Sequence, residues 1–278
     1  MILKTSYKMK PPVSARLIKG HPLARGIVGC WLFNEGSGNK VFDLSGNGNT
    51  GLFGTGTNIP TWKSGKFGPA TSFDGDDHIN MGNVLNMGTD SWTWIFSIKV
   101  DVYADSGIIW EKRGGDAVSY FQFKTALTGF QFLVHDGTNL QPIIINESST
   151  DYIHFAVVYD RSDPGTGFRL YQNSILYTAD LEQTVTASIV NTKNYAFGRR
   201  VGAGNGLQGI LDYGMSFNCA LSASEIAQLY REPFCMFDRP MDPLFSITAA
   251  PPEIQALYMD LSTQLWTIKH STGLFTKL

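Results

Sequence analysis

Charge is scarce in this chain of 278 residues: only 17% of positions are Asp, Glu, Lys or Arg, against roughly a quarter in an average soluble domain. With 13% aromatic residues beside it, that scarcity excludes a disordered polyelectrolyte. Long hydrophobic runs are missing too. No stretch approaches the ~18 consecutive apolar residues of a membrane-spanning helix. Cysteine is limited to Cys30, Cys219 and Cys235, too few for a disulfide-held scaffold, and three free thiols are expected. The start lacks the apolar core of a secretory signal, running instead Pro11-Pro12-Val13-Ser14-Ala15-Arg16. Synthesis in a cytoplasm, or assembly from there into a larger particle, is the expectation. A pI near 6.2 gives no basis for nucleic-acid binding.

Acid is absent from one region. Residues 1–34 carry Lys4, Lys8, Lys10, Arg16, Lys19 and Arg25 and no Asp or Glu, a charge of +6, so the remaining 16 bases and 24 acids sum to −8. A basic arm precedes an acidic body, and opposite charges of this kind can attract between copies.

Catalytic patterns are also lacking. A glycanase needs two carboxylates about 5–9 Å apart, and on a strand an E-x-D-x-E spacing would place them on one face. It does not occur. Glu111 is followed by Lys112-Arg113, Glu147 is isolated, and Asp74-Gly75-Asp76-Asp77 reads as a hairpin turn. The five histidines are scattered, with no Gly-x-Ser-x-Gly elbow. Gly202-Ala203-Gly204-Asn205-Gly206 lacks the lysine and following helix of a phosphate loop.

What is present is β-strand punctuated by turns. Residues 1–25 read as an extended arm, 26–231 as short strands between Gly/Asn/Asp/Ser turns, and 232–278 as a proline-rich linker with a small β segment. Residues 92–102 are a central strand by β-branched and aromatic content. Gln172-Asn173-Ser174 makes a tight hairpin turn. Helix is confined to 222–231, where Ser222-Ala223-Ser224-Glu225 is a capping box, Ile226, Leu229 and Tyr230 form one stripe, and Pro233 ends it. At the C-terminus, Leu261-Ser262-Thr263-Gln264-Leu265-Trp266 recurs as His270-Ser271-Thr272-Gly273-Leu274-Phe275, each unit a turn leading into a strand.

Four segments carry a resemblance. G-I-V-G-C-W-L-F-N-E-G-S-G (26–38), D-L-S-G-N-G-N-T-G (43–51), G-K-F-G-P-A-T-S-F-D-G-D-D-H-I-N-M-G (65–82) and A-L-S-A-S-E-I-A-Q-L-Y (220–230) together resemble the LamG-like, concanavalin A-like jelly-roll family. The resemblance implies an all-β sandwich of two antiparallel sheets of roughly six or seven strands each, to which the residues themselves add one short helix near 222–231 and a β-rich C-terminal extension. It does not fix function, because one fold hosts many.

Calcium is the site chemistry the residues support, since Asp43-Leu44-Ser45-Gly46-Asn47 offers oxygens on one loop. In the resembled family a late-strand acid completes such a site, here Asp212. The candidate ligands are therefore Asp43, Asn47 and Asp212; the alternative is that Asp43 and Asn47 only cap turns. For glycan recognition, Trp62, Trp94, Tyr103, Trp110 and Tyr120 are the available aromatic platforms, while Trp31 and Trp92 belong to the core. The unexported jelly roll with extensions at both ends resembles LamG-like proteins of bacteriophages. The leading expectation is a non-enzymatic virion protein, such as a capsid decoration, head fibre or tail adhesin, fastened through its extensions to virion subunits or sister copies. The alternative is a carbohydrate-binding module or adhesin for cell-surface glycan.

Overall fold

The computed structural model describes residues 9–113, 119–163, 167–177, 185–199 and 205–238, and the backbone of three strands within 254–277. The chain divides into two compact units, Met1–Asp238 and Arg239–Leu278. The first is a two-sheet sandwich. One sheet runs β14 (Ile175–Tyr177), β13 (Phe168–Gln172), β12 (Ile153–Tyr159), β7 (Trp92–Val102), β16 (Gln208–Phe217), β5 (Pro69–Asp74) and β4 (Thr61–Ser64), with β1 (Ile27–Trp31) also on β16. The other runs β11 (Leu140–Ile145), β10 (Gly129–His135), β9 (Tyr120–Ala126), β8 (Ile108–Lys112), β15 (Tyr195–Phe197), β6 (Ile79–Asn80), β3 (Gly51–Phe53) and β2 (Lys40–Val41). All pairings between these strands are antiparallel. Each sheet has eight strands, above the expectation because two- to four-residue strands such as β2, β3 and β4 extend the edges.

Alternation along the central strands builds the inter-sheet core. Trp92, Trp94, Phe96, Ile98 and Val100 of β7 face inward with Ile153, Phe155, Val157 and Tyr159 of β12, against Trp110, Phe121, Phe123, Phe130 and Phe132 of the second sheet. The rings interlock, with Trp110 stacked on Phe132 at 5.9 Å and Phe96 on Phe123 at 5.7 Å.

The first sheet is buried on its other face as well, which explains why β7 and β12 read as continuous apolar runs instead of alternating ones. Ile95, Ala156, Val158, Met215 and Phe217 meet a second cluster formed by Leu23, Ala24, Ile226, Leu229, Phe234, Met236 and Phe237. The helix α1 (Ala223–Arg231) has the expected capping box: the Ser222 hydroxyl accepts from the Glu225 amide at 3.3 Å, and Glu225 accepts from the Ser222 amide at 2.8 Å. Its stripe rests on the sheet through Ile226 and Leu229.

This layer changes the reading of the ends. From Met9 onward the extended arm lies against the body: Leu17 bridges Phe237, the Ile18 amide donates to Met236 O at 2.9 Å, and Asp238 N donates to Arg16 O at 2.8 Å. Residues 232–238 likewise supply core, and the first compact unit runs to Asp238. The cause is that an apolar outer sheet face must be covered, and the two chain ends cover it. The three cysteines are free, with Cys30 and Cys235 buried in this layer.

In the second unit β17 (Ile254–Asp260), β18 (Leu265–His270) and β19 (Phe275–Lys277) pair as an antiparallel meander. β18 begins on the Leu265-Trp266 pair and β19 on Phe275, where the repeat places strands; its turns, 261–264 and 271–274, lie outside the described residues.

Candidate functional site

Each of the calcium candidates is engaged by protein groups. Asp43 is occupied by its own loop: Oδ1 accepts from the amides of Cys30 and Ser45, and Oδ2 from the Ser45 hydroxyl and the Asn49 amide, all at 2.9 Å. Asn47 Nδ2 donates to Val28 O at 3.2 Å and to Ser45 Oγ at 3.0 Å. This is the turn-capping alternative, with the loop tied back to β1.

Asp212 is committed elsewhere. It sits at a bulge of β16 against β7, and on the other side it falls between the stretch paired with β5 and the stretch paired with β1. A bulge re-aims a side chain out of the ladder. The carboxylate meets the Lys10 ammonium at 2.7 Å and accepts from the Lys66 amide at 3.0 Å. Lys10 also donates to Pro69 O, and both side chains are almost fully buried. A Cβ on Gly65 would stand 2.6 Å from Asp212 Oδ1, so glycine is what lets the carboxylate fit. Burial pushes the Asp212 carboxyl up and the Lys10 ammonium down, and the attraction within the pair opposes both shifts. The cation beside Asp212 is therefore an ammonium from the basic arm. Arm and body attract each other at this point within one chain.

Of the five aromatic platform candidates, Trp94, Trp110 and Tyr120 are buried, which corrects the expectation that they were available to a glycan. Trp94 shares the inward face of β7 with Trp92 by the strand period, and Trp110 stacks against Phe121 and Phe132. Trp62 is half-buried, its ring 5.3 Å from Phe53 and its Nε1 donating to Gly38 O at 2.9 Å. The Tyr103 hydroxyl exchanges hydrogen bonds with Ser149, donating to its carbonyl and accepting from its amide, each at 2.8 Å.

The acids are placed as follows. Asp74, Asp76 and Asp77 lie within 4.8 Å of one another in the connection from β5 to β6, which passes from one sheet to the other and is not the hairpin expected from the sequence. The Asp74 amide donates to Asp77 Oδ2 at 3.0 Å and the Asp76 amide to Asp74 Oδ1 at 3.3 Å, a self-closed turn. Burial, with the neighbouring carboxylates, raises Asp77 to about 6. Glu111 accepts from Gln122 Nε2 at 2.6 Å, and Gln122 in turn accepts from Arg113. Beside it, burial lowers Lys112 to about 8 while its ammonium ties Asn83, Val84 O and Lys193 O together.

One polar depression went unmarked by the sequence. A hollow of about 430 Å³ is lined by Lys66, Ser149, Asp151, Tyr152, Ile153, Gln172 and Asn173, at the start of β12 and the β13–β14 turn. Its walls are braced. His154 N donates to Asn173 Oδ1 at 3.0 Å and Asn173 N to His154 O at 2.8 Å; Ser149 is held by Tyr103, and the Lys66 amide by Asp212. The His154 ring lies under α1 against Tyr230, with neither nitrogen paired, and burial drives it down to about 3.

No curated protein matches the sequence, but a family profile does. The profile, described as the concanavalin A-like lectin/glucanases superfamily, matches residues 73–227, more than half of the chain. Among solved structures, the chain is similar to domain 4 of AbnA, a GH43 extracellular arabinanase from Geobacillus stearothermophilus, in complex with arabinotriose. The TM-score is 0.57 at 14% identity, over 78% of this chain and 98% of that domain. It is also similar to the binding domain of Paraclostridial Mosquitocidal Protein 1, with a TM-score of 0.60 at 15% identity, over 90% of this chain and 64% of that one. A third is the botulinum neurotoxin serotype D ligand binding domain in complex with N-acetylneuraminic acid, with a TM-score of 0.55 at 14% identity, over 74% and 51%. At these identities the structures speak for the fold, and the profile for the family: the chain belongs to the concanavalin A-like lectin/glucanase superfamily.

Proposed function

We propose that this chain is a carbohydrate-binding, lectin-like module that works by recognition without catalysis. The observation that carries this reading is the sandwich itself, which spans nearly the whole of an arabinanase domain solved with arabinotriose. Binding without chemistry is supported by the state of the acids. Glu111 is held by Gln122, Asp74 and Asp77 are bonded into their own turn, and Asp212 is neutralised by Lys10. Asp74 and Asp77 line a hollow of about 290 Å³ with Asp101, but their carboxylates lie within 4.8 Å of each other in one turn, closer than the ~5–9 Å separation that glycoside hydrolysis uses. The test is an array of immobilised neutral and sialylated oligosaccharides, together with a product assay on the same sugars. Retention of at least one class without cleavage is expected; cleavage abolished by a single Asp or Glu substitution would overturn the non-catalytic half. Retention should persist in a chelator, because Asp43, Asn47 and Asp212 are already committed to protein partners.

A second reading, a virion surface protein displaying this module, rests on the second compact unit, Arg239–Leu278. A three-stranded meander is at the lower limit for independent stability and gains from packing on a partner such as a sister copy. The packed segments 9–25 and 232–238 no longer support that reading, since they serve the sandwich. A purified assembly with a mass far above 30.7 kDa is the expected outcome, and a monomer removes this reading.

A further inference from the structure

We infer that the hollow beside the start of β12 is the saccharide subsite, taking one or two units of a neutral sugar. The inference rests on the carbohydrate-binding reading and adds a place and a ligand class to it. Size agrees first: about 430 Å³ lies at the small end of the range for small-molecule sites. The lining agrees second. Ile153 is its one aliphatic residue and Tyr152 its one ring; the others carry hydroxyl, amide, ammonium or carboxylate groups. That is a poor home for an apolar ligand and a good one for a polyhydroxylated ring, which offers donors and acceptors along its edge and a C–H face to an aromatic.

Polar groups here have capacity to spare. The Gln172 Oε1 atom is buried without a hydrogen-bond partner, and an unmet buried acceptor favours a ligand that donates to it. Burial, with the charges of Asp212 and Asp101, pushes the Tyr152 phenol up to about 12, so near neutral pH it keeps its proton and can both donate and accept.

Preorganisation agrees third. Asn173 is bonded to His154 in both directions, Ser149 to Tyr103 in both directions, and the Lys66 amide to Asp212. Three walls of the hollow are thus fixed before a ligand arrives, which lowers the ordering cost of binding. Charge decides between sugar classes. Lys66 and Asp151 are the charged groups in the lining, one of each sign; an acidic sugar would meet Asp151 as well as Lys66, whereas neutral hydroxyls can use both.

The experiment measures binding of the full chain to immobilised maltotriose, lactose, arabinotriose and N-acetylneuraminic acid, for wild type, Tyr152→Ala, Asp151→Asn and Lys66→Ala. Asp151 and Lys66 are exposed, so two of the variants carry little risk to folding, and thermal unfolding checks all of them. Wild type should retain a neutral sugar, with at least tenfold loss in Tyr152→Ala and a smaller loss in the other two. Wild-type retention unchanged in all three variants overturns this location while the carbohydrate reading stands. A tenfold preference for N-acetylneuraminic acid overturns the ligand class. Retention of no sugar here or on the wider array removes both.

Discussion

The two hydrophobic clusters on either side of the first sheet are built by different rules. The inter-sheet cluster draws mainly on strand residues, with Trp and Phe prominent at period two, and loop residues such as Met87, Val185 and Ile189 complete it. The outer cluster is made where the ends of the chain return: Leu23 and Ala24 from one end, Phe234, Met236 and Phe237 from the other, with α1 between them. The inner layer contains few ionisable side chains. The outer face carries the buried Lys10–Asp212 pair and the unpaired ring of His154. A core closed by the two ends of the first unit thus depends on contacts from short segments outside its strands, and it holds the groups whose charge state matters.

Truncation breaks that comparison most severely. A chain ending at Arg231 loses Phe234, Met236 and Phe237, each buried to within 1% of complete. At ~1.5–3 kcal/mol per side chain the loss is roughly 5–9 kcal/mol, comparable to the whole stability of many domains. A chain ending at Asp238 should keep its cooperative urea transition, whereas the one ending at Arg231 should not. Equal midpoints for the two would show that the outer cluster adds nothing to the sandwich.

The ion pair gives the next largest effect. Asp212→Ala leaves the Lys10 ammonium buried without its counter-charge and should cost about 3–5 kcal/mol. Replacing both partners with apolar residues, Lys10→Met with Asp212→Leu, should recover most of that loss in denaturant titrations. Failure of the double variant to recover would mean that the pair does more than neutralise itself.

Much of the inner cluster was legible from residue order. Residues 92–102 read as a central strand, Trp92 as core, and the helix start from its capping box. Trp94 could have been placed too, because a residue two positions from a core tryptophan on a strand must share its face. Counting it as a glycan platform ignored that period. The outer cluster was harder to read. Lys10 and Asp212 lie far apart along the chain, and no local pattern announces a contact between them. The +6 and −8 partition pointed to an attraction between arm and body, but composition cannot say whether the two belong to one copy or two. The hollow around Tyr152 gathers residues from three separate segments, none of which forms a motif. The jelly-roll class came through the strand pattern and the four motif segments, while the site depended on tertiary proximity.

Acid sharpens the comparison further. His154 is held at about 3, below its ordinary 6.5, chiefly by burial and then by the charge of Lys66; Tyr213 and Tyr230 are the other titratable groups against it. Above pH 6.5 the group has no effect. As pH falls from there toward 3, the unfolded chain takes a proton that the folded chain refuses, and stability declines by about 1.4 kcal/mol per pH unit. Between pH 7 and 5 the expected loss is ~2 kcal/mol, and His154→Phe should remove it. Asp77, raised to about 6, acts with the opposite sign between its ordinary 3.8 and 6, so Asp77→Asn should steepen the wild-type decline. Parallel urea titrations of the three proteins at pH 7 and 5 check both signs.

The smallest expected effect lies at the edge of the sheet, where burial has no say. The β13–β14 hairpin turns through Asn173 and Ser174, with φ of 51° and 66°, a two-residue turn with both central residues in the left-handed region. Asparagine tolerates that region better than most residues, and serine is strained there. Ser174→Gly removes the strain, although glycine also gives the unfolded chain more freedom, so the net gain should be below about 1 kcal/mol. Asn173→Gly should instead destabilise, because it deletes the Oδ1 acceptor that holds the His154 amide at 3.0 Å. Two glycine substitutions at adjacent residues of one turn are thus expected to move the unfolding midpoint in opposite directions. A shift of the same sign in both would mean that local backbone preference, and not the bond to β12, governs this end of the sheet.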